Sequence, residues 1–180
     1  MVKITYDLVM RKKIPAPSPA QKIEMGYCDT PWGQALVEYS DHTIYCFEFL
    51  KDDHPKQHIS SIAQNIFESL IKNPIAFVFE PIGTSFQKDV WNALLKIPKG
   101  ELRSYTDIAK MIGRPKSVRA VANAIGANPI CIFIPCHRVI RSDGSLGGFS
   151  SGIHRKKAFM KMEGINPPNE GPSFVSPSKF

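Results

Sequence analysis

The sequence has no uninterrupted apolar run long enough to span a membrane, and no apolar stretch follows its basic start. By pattern this argues against a transmembrane helix and a secretory leader. No membrane partner and a cytoplasmic location (nuclear in a eukaryote) are therefore expected. Close cysteine pairs are missing too. The four cysteines, Cys28, Cys46, Cys131 and Cys136, include no CxxC, the spacing of a zinc knuckle or a redox dithiol. A disulfide framework is not expected in a chain of 180 residues with no sign of secretion. Cys28, Cys46 and Cys131 read as buried apolar filler. Cys28, Cys46 and His42 match no metal-binding spacing, so the sequence predicts no metal. Internal repeats are absent. Acidic residues are in deficit: 16 Asp and Glu stand against 23 Lys and Arg, for a formal net charge of +7. That suits a polyanionic partner without requiring one.

What is present suffices for an ordinary core. Hydrophobic residues make up 43% of the chain, whose length suits one domain or two small, closely packed ones. Three parts are expected, at residues 1–82, 83–166 and 167–180. Arg11, Lys12, Lys13, Pro15, Pro17 and Pro19 mark the start as an exposed basic arm, and Pro167, Pro168, Pro172 and Pro177 mark an extended tail. The rest of the first part reads as a small α+β module. Thr30-Pro31-Trp32-Gly33 is a turn, the alternation of Ala35, Val37 and Tyr39 is one strand, and Ile44 to Phe49 is a second, paired with it. Ile59, Ile62, Ile66, Leu70 and Ile71 lie at helical spacing, ended by Pro74, and Ile75 to Phe79 fits a third strand. Nothing in this part suggests a reaction.

The second part reads as mostly helical. Thr84 and Gln87 have capping-box spacing, ahead of a face made by Phe86, Val90, Trp91, Leu94 and Leu95. Ser104 to Ile112 is a short helix that Gly113 can end in the left-handed conformation. Pro115 suits the first turn of the next helix, which runs to about Ile125. Two short helices joined by a glycine-containing turn fit a helix-turn-helix, and they also fit a plain helical hairpin with a solvated basic face. On the second helix Val118, Val121 and Ile125 share the inward side, while Arg119, Ala122 and Asn123 lie on another. Small residues with one long cation suit a narrow minor groove better than base-edge reading in the major groove.

The reactive candidate is Cys136. Ile130 to Ile134 reads as an apolar strand running into Pro135, with Cys136 and His137 at a bend. Thiolate is the nucleophile of cysteine, and an imidazole can take its proton, directly or through a water. By itself the dipeptide also fits a buried thiol beside a structural histidine. Glu163 closes a helix whose core side is Ala158, Phe159 and Met162. A carboxylate there faces the unfavourable end of the helix dipole. It either points to solvent or turns inward to orient His137, and spacing leaves both open.

Ile134-Pro135-Cys136-His137-Arg138-Val139-Ile140 resembles the signature of the O6-alkylguanine-DNA alkyltransferases, also called methylated-DNA–protein-cysteine methyltransferases. Gly83-Thr84-Ser85-Phe86-Gln87, Val90-Trp91, Ile97-Pro98-Lys99-Gly100, Ser104-Tyr105, Asn128-Pro129 and Gly144-Ser145-Leu146-Gly147-Gly148 follow that family's pattern in order. The likeness is strong from Thr84 to Gly164 and looser over the hairpin from Thr30 to Leu50. It implies an α+β fold, with a small N-terminal α/β, ribonuclease H-like domain and a mostly helical C-terminal domain carrying a helix-turn-helix.

The resemblance also implies a suicide enzyme. It would act as a monomer on double-stranded DNA carrying alkylated bases, flip O6-alkylguanine out and take the alkyl group once, without a cofactor. O4-alkylthymine is the weaker expectation of the two substrates. By the same likeness Cys136 is the acceptor, His137 its base and Glu163 the imidazole's partner, with Asn128 at the hinge. Arg119 replaces the extruded nucleotide, and Tyr105 crowds its phosphate and hydrogen-bonds the base. Thr106, Gln87, Arg114 and Ser142 contact the DNA backbone. Backbone groups at Cys136 and Val139, with Phe149 and Ser150, form the base pocket. Phe149 stands where the family commonly has tyrosine, Ser151-Gly152 where it has a glycine pair, and Ala122 where it often has glycine. These departures bear on alkyl size. Cys28 and His42 do not reproduce the ligand set of the family's zinc-bearing members.

Overall fold

The computed structural model describes residues 22–168. The expected basic arm and most of the expected tail lie outside the described residues. Strands β1 (Glu24–Thr30), β2 (Gly33–Ser40) and β3 (Thr43–Phe49) form an antiparallel meander. The strand-like stretch thus holds three strands where the sequence suggests two. Thr30 fastens the first turn: its Oγ1 donates to Gly33 O at 2.7 Å and accepts from Trp32 N–H at 3.0 Å. Gly33 takes φ +108°, a value that glycine adopts without strain. Ala35, Val37 and Tyr39 all face inward, as their alternation predicts.

Two expectations for this part need correction. Ile75 to Phe79 is a strand only at β4 (Val78–Phe79), which pairs parallel to β3; Pro74–Ala76 is a 3₁₀ turn. Proline has no N–H for a ladder, so Pro74 suits the start of that turn. Helix α1 (Ser61–Lys72) buries Ala63, Phe67 and Leu70, while Ile62 is 53% exposed. The buried face is rotated by one residue from the isoleucine line. Two contacts set that rotation. A Cβ on Gly26 would stand 2.8 Å from Ser60 Cβ and 3.0 Å from Ala63 Cβ, so α1 sits directly on β1 at a glycine. Phe67 also stacks on Phe47, with ring centroids 5.9 Å apart.

Helix α2 (Ser85–Leu95) has the predicted capping box, and Trp91 Nε1–H donates to Ala124 O at 2.8 Å across to α4 (Val118–Gly126). Strand β5 (Arg103–Ser104) leads into α3 (Tyr105–Met111), which carries a second capping box between Ser104 and Asp107. Gly113 ends α3 at φ +72°. Pro115 lies outside α4, contrary to expectation. It occupies the second position of a separate turn in which Ser117 N–H donates to Arg114 O at 2.9 Å, a position its fixed φ favours. Helix α4 then starts at Val118 and buries Val121, Ala124 and Ile125.

The stretch Ile130 to Ile134 is not a strand. Ile130 bridges to Phe47, and Phe47 O accepts from Cys131 N–H at 2.8 Å. Among the described residues, this stretch makes no further bridge to β3. The chain curls instead, with Ile134 N–H bonded to Ile130 O at 2.9 Å and Ile132 at φ +70°. A β-branched residue in that region is strained and must be held by its surroundings. A 3₁₀ turn (Cys136–Arg138) follows, then β6 (Val139–Ile140), parallel to β5. Helix α5 (Ile153–Met162) buries Arg155, Lys156, Phe159 and Met160, so its inward face is half cationic, and Ala158 and Met162 are only partly covered.

One hydrophobic core spans both halves. Phe133 meets Phe47 at 5.2 Å and Phe79 at 5.6 Å, and Phe159 meets Trp32 at 5.2 Å. Arg155 adds a polar clamp, donating to Trp32 O at 2.8 Å, Ser151 O at 2.7 Å and Asp52 Oδ1 at 2.7 Å. The expected boundary at 82/83 falls in an extended link across which this core is continuous. Among the described residues no helix is long and apolar enough to cross a membrane.

Candidate active site

Cys136 opens the 3₁₀ turn after Pro135 and is 5% exposed. It lines a cavity of about 830 Å³, together with Tyr105, Arg119, Arg141, Phe149 and Ser150. Elements far apart in sequence thus surround one sulfur. Tyr105 comes from the start of α3 and Arg119 from the exposed side of α4. Phe149 and Ser150 come from the loop before α5. Gly147 is required beside Tyr105: it has φ +69°, and a Cβ there would lie 3.0 Å from the Tyr105 hydroxyl.

The sulfur is surrounded by donors. Asn128 Nδ2 donates to Cys136 Sγ at 3.1 Å and to Ile134 O at 2.9 Å, while its Oδ1 accepts from Ile130 N–H at 3.1 Å. A hydrogen bond from Cys131 holds the Cys136 thiol below its ordinary pKa. Burial opposes this, and Asn128 and the Lys156 ammonium assist it. Lys156 is itself buried, which brings its pKa down to about 8. Its Nζ donates to Val139 O at 2.6 Å and also to Leu146 O.

Behind the thiol lies a buried ionic group. His137 Nε2 and Glu163 Oε1 are 3.0 Å apart. Arg138 grips the same carboxylate twice, from Nε at 2.9 Å and Nη2 at 2.7 Å, and reaches Ile97 O with Nη1. Glu163 has therefore turned inward. Burial opposes its charge, but the hydrogen bonds from His137 and Arg138 prevail and bring its pKa down to about 2. Burial pushes the His137 pKa down against the pull of Glu163. A neutral imidazole beside an ionised carboxylate carries its proton on Nε2. Nδ1 then holds a lone pair, and it has no hydrogen-bond partner among the described residues. The group can therefore accept one proton at Nδ1.

The remaining predicted residues divide. Thr106 Oγ1 and Ser142 Oγ lie 3.1 Å apart on the exposed surface. Arg114 sits over the Phe86 ring at 5.3 Å. Gln87 Oε1 is taken by the helix cap, accepting from Thr84 N–H at 2.9 Å. Val139 lies behind the cavity wall: its N–H donates to Cys136 O and its carbonyl accepts from Lys156. Sequence reasoning assigned no role to Lys156, Arg141 or Cys131. Lys156 belongs to the run Arg155-Lys156-Lys157, which reads as a solvated face, and no spacing marks its middle residue as buried. Among the described residues, no group of three or more His, Cys, Asp or Glu side chains could hold a metal ion.

Residues 85–165 match the family described as 6-O-methylguanine DNA methyltransferase, DNA binding domain. The methylated-DNA–protein-cysteine methyltransferase of Methanosarcina acetivorans is 56% identical over 84 residues, which is 47% of this chain and 54% of that protein. The protein of the same name from Haemophilus influenzae is 34% identical over 167 residues, covering 86% of this chain and 93% of its own length. The crystal structure of Mycobacterium tuberculosis OGT in complex with DNA is similar at a TM-score of 0.66 and 33% identity, over 79% of this chain and 94% of that one. The chain spans about half the length of the two Methanosarcina relatives, 54% in each case.

Proposed function

The chain belongs to the methylated-DNA–protein-cysteine methyltransferase family, and from that premise we propose that it repairs alkylated DNA by moving the alkyl group irreversibly onto Cys136. One observation carries this reading. Cys136 lines a cavity with Tyr105, Arg119 and Phe149, and the next residue is a buried imidazole paired with a carboxylate.

The substrate is O6-alkylguanine in double-stranded DNA, with O4-alkylthymine a further one. The O6 group faces the duplex interior, so the nucleotide must rotate out. This costs about a few kcal/mol, less for a lesion that pairs badly. Arg119, exposed on α4 at the cavity, fills the space the base leaves. Helices α3 and α4 act as the helix-turn-helix, and the small Ala122 lets α4 approach the minor groove. Thr106, Ser142 and Arg114 meet DNA phosphates, as does Gln87 through the amide NH₂ its cap leaves over. Phe149 and Ser150 receive the base. The four-stranded sheet is read as ribonuclease H-like and supports residues 83–166, which carry DNA binding and chemistry. The protein works as a monomer, in the cytoplasm (or nucleus).

Chemically, His137 Nδ1 takes the Cys136 proton, directly or through a bridging water, while Nε2–H stays on Glu163. The thiolate then attacks the alkyl carbon. A C–S bond forms as the C–O bond breaks, and guanine departs with the electron pair. The Tyr105 hydroxyl hydrogen-bonds the leaving base. Burial raises its pKa, so it holds a proton to give as guanine leaves, and the proton His137 took from Cys136 restores the hydroxyl by way of solvent. The thioether does not revert, so one molecule repairs one lesion, and the transfer needs no cofactor.

An oligonucleotide carrying labelled O6-methylguanine tests the reading. The label is expected on the Cys136 peptide by mass, at one equivalent per protein. Tight lesion binding without transfer would sink it. Arg119→Ala should slow repair of duplex DNA roughly 30- to 100-fold, since a flipping step of a few kcal/mol loses its support. Reaction with free O6-benzylguanine should change little. Equal losses on both substrates would count against a role in flipping.

A further inference from the structure

The loop ahead of α5 has little stiffness of its own. Four of the nine residues from Gly144 to Gly152 are glycine, the residue with the most backbone freedom to lose. Yet Phe149 and Ser150, in this loop, line the cavity beside Cys136. Its far end is fixed by the start of α5. There Gly152 O accepts from Arg155 N–H at 3.1 Å and from Lys156 N–H at 3.3 Å, and Gly152 N–H donates to Phe149 O at 3.0 Å. Ser151 lies inside that turn. Its hydroxyl donates to Cys131 Sγ at 3.6 Å, a weak bond because sulfur is a poor acceptor. The stronger hold is on its carbonyl, which accepts from Arg155 Nη1 at 2.7 Å.

The other two arms of that guanidinium reach into the N-terminal half. Nε donates to Trp32 O at 2.8 Å and Nη2 to Asp52 Oδ1 at 2.7 Å. A Cβ on Gly33 would stand 2.8 Å from Nη2, so the group lies directly against the turn between β1 and β2. The Phe49 ring lies 5.3 Å from its central carbon. One rigid, planar fork therefore joins three segments that are remote in sequence, and Arg155 is 4% exposed. Asp52 is not among the residues that line the cavity. Its oxygen meets Arg155 and, at 3.6 Å, His154 Nε2.

We propose that Arg155 is a positioning residue for alkyl transfer, through which Asp52 and the β1–β2 turn hold the base-receiving loop in place. The inference rests on the reading of Phe149 and Ser150 as residues that receive the base. Substitution at carbon needs sulfur, alkyl carbon and leaving oxygen in line, and a misplacement of about 1 Å is costly. A wall fixed before the base arrives spares the loop's ordering cost in the reacting complex. Arg119 and α4 meet DNA from elsewhere, so the clamp acts on the transfer step and not on affinity.

Two readouts test this. Hydrogen exchange at the Gly152 amide reports whether the loop is held, and needs no DNA. Kinetics at rising protein concentration separate affinity for the lesion duplex from first-order transfer in the bound complex. Arg155→Met keeps most of the side chain's bulk and removes all three bonds. It should speed Gly152 exchange and slow transfer, each roughly tenfold, the scale of one hydrogen bond to a charge, with affinity kept within about twofold. Asp52→Ala removes a side chain that is 67% exposed, so it tests the clamp even where methionine at 155 prevents folding. It should give about threefold on both readouts, as suits a partly exposed ion pair. In the Arg155→Met background Asp52→Ala should add nothing. An effect as large there as in the native protein would route Asp52 through His154 and overturn the proposal. A folded variant with native exchange and native transfer overturns it too. So does one whose affinity falls as far as its transfer, the mark of a general loss of structure. Gly152 exchange that responds as expected, in a protein that takes no label from DNA, would count against the acceptor reading alone.

Discussion

Cys136→Ser should lower alkyl transfer by on the order of 10⁴-fold or more while the protein still folds and still binds the lesion duplex. Serine fills nearly the same volume and can accept the Asn128 amide that now reaches Sγ at 3.1 Å. What it cannot do is ionise. The structure lowers the Cys136 thiol through Cys131, Asn128 and Lys156, but a hydroxyl starts far too basic for such contacts to matter at neutral pH. The carbon–oxygen bond under attack is a poor one to break, so an un-ionised nucleophile gains nothing from being well placed. On the proposed reading, binding rests on Arg119, α4 and the phosphate contacts, and the Cys136 sulfur takes no part in it. The measurement is a pair of curves: transfer of label against time, and lesion-duplex binding against protein concentration. Loss of both together would mean that Cys136 holds the site's shape and does not serve only as its reagent.

Glu163→Gln should destabilise the protein by about 3 kcal/mol, because it takes from the buried Arg138 guanidinium the carboxylate it holds through two hydrogen bonds. Arg138 is 2% exposed and makes two of its hydrogen bonds to this one carboxylate. The native protein should also be acid-sensitive with a definite sign. The Glu163 carboxyl titrates near 2 when folded against an ordinary 4.5, so the unfolded chain takes up that proton first as pH falls. Its contribution is whole above pH ~4.5 and is lost as pH falls towards 2, roughly 3 kcal/mol in all. His137, held below its ordinary pKa by burial, adds acid sensitivity of the same sign starting below pH ~6.5. Urea unfolding between pH 7 and pH 3 reads both effects. The glutamine variant should be less stable at neutral pH and flatter at the acid end. A variant with native stability would mean that Arg138 finds another partner.

Local patterns carried much of this protein. The caps at Thr84 and Ser104, the left-handed end at Gly113 and the inward alternation of Ala35, Val37 and Tyr39 are interactions between near neighbours. Such interactions are written in the spacing itself. Where prediction failed, a distant partner had the deciding vote. The face of α1 follows Gly26 and Phe47, which lie outside the helix. The apolar run before Cys136 has strand composition, yet among the described residues only Phe47 pairs with it, and it folds into a turn.

Cys136 and its motif were legible without coordinates, because a thiol beside an imidazole in an ordered set of neighbouring motifs is a statement about sequence. The orientation of Glu163 was not, since the helix dipole and solvent would allow it to face out. Only the pocket formed by His137 and Arg138 turned it inward. Lys156 and Cys131 were less legible still. One reads as a solvated lysine and the other as apolar filler, and each became part of the site through the packing of α5 and the buried turn around a single sulfur. Sequence by itself singled out the proposed nucleophile, the Cys136 sulfur. Tertiary structure decided what charge that atom carries, because charge in a buried site is set by whichever donors and cations the fold brings within a few ångströms.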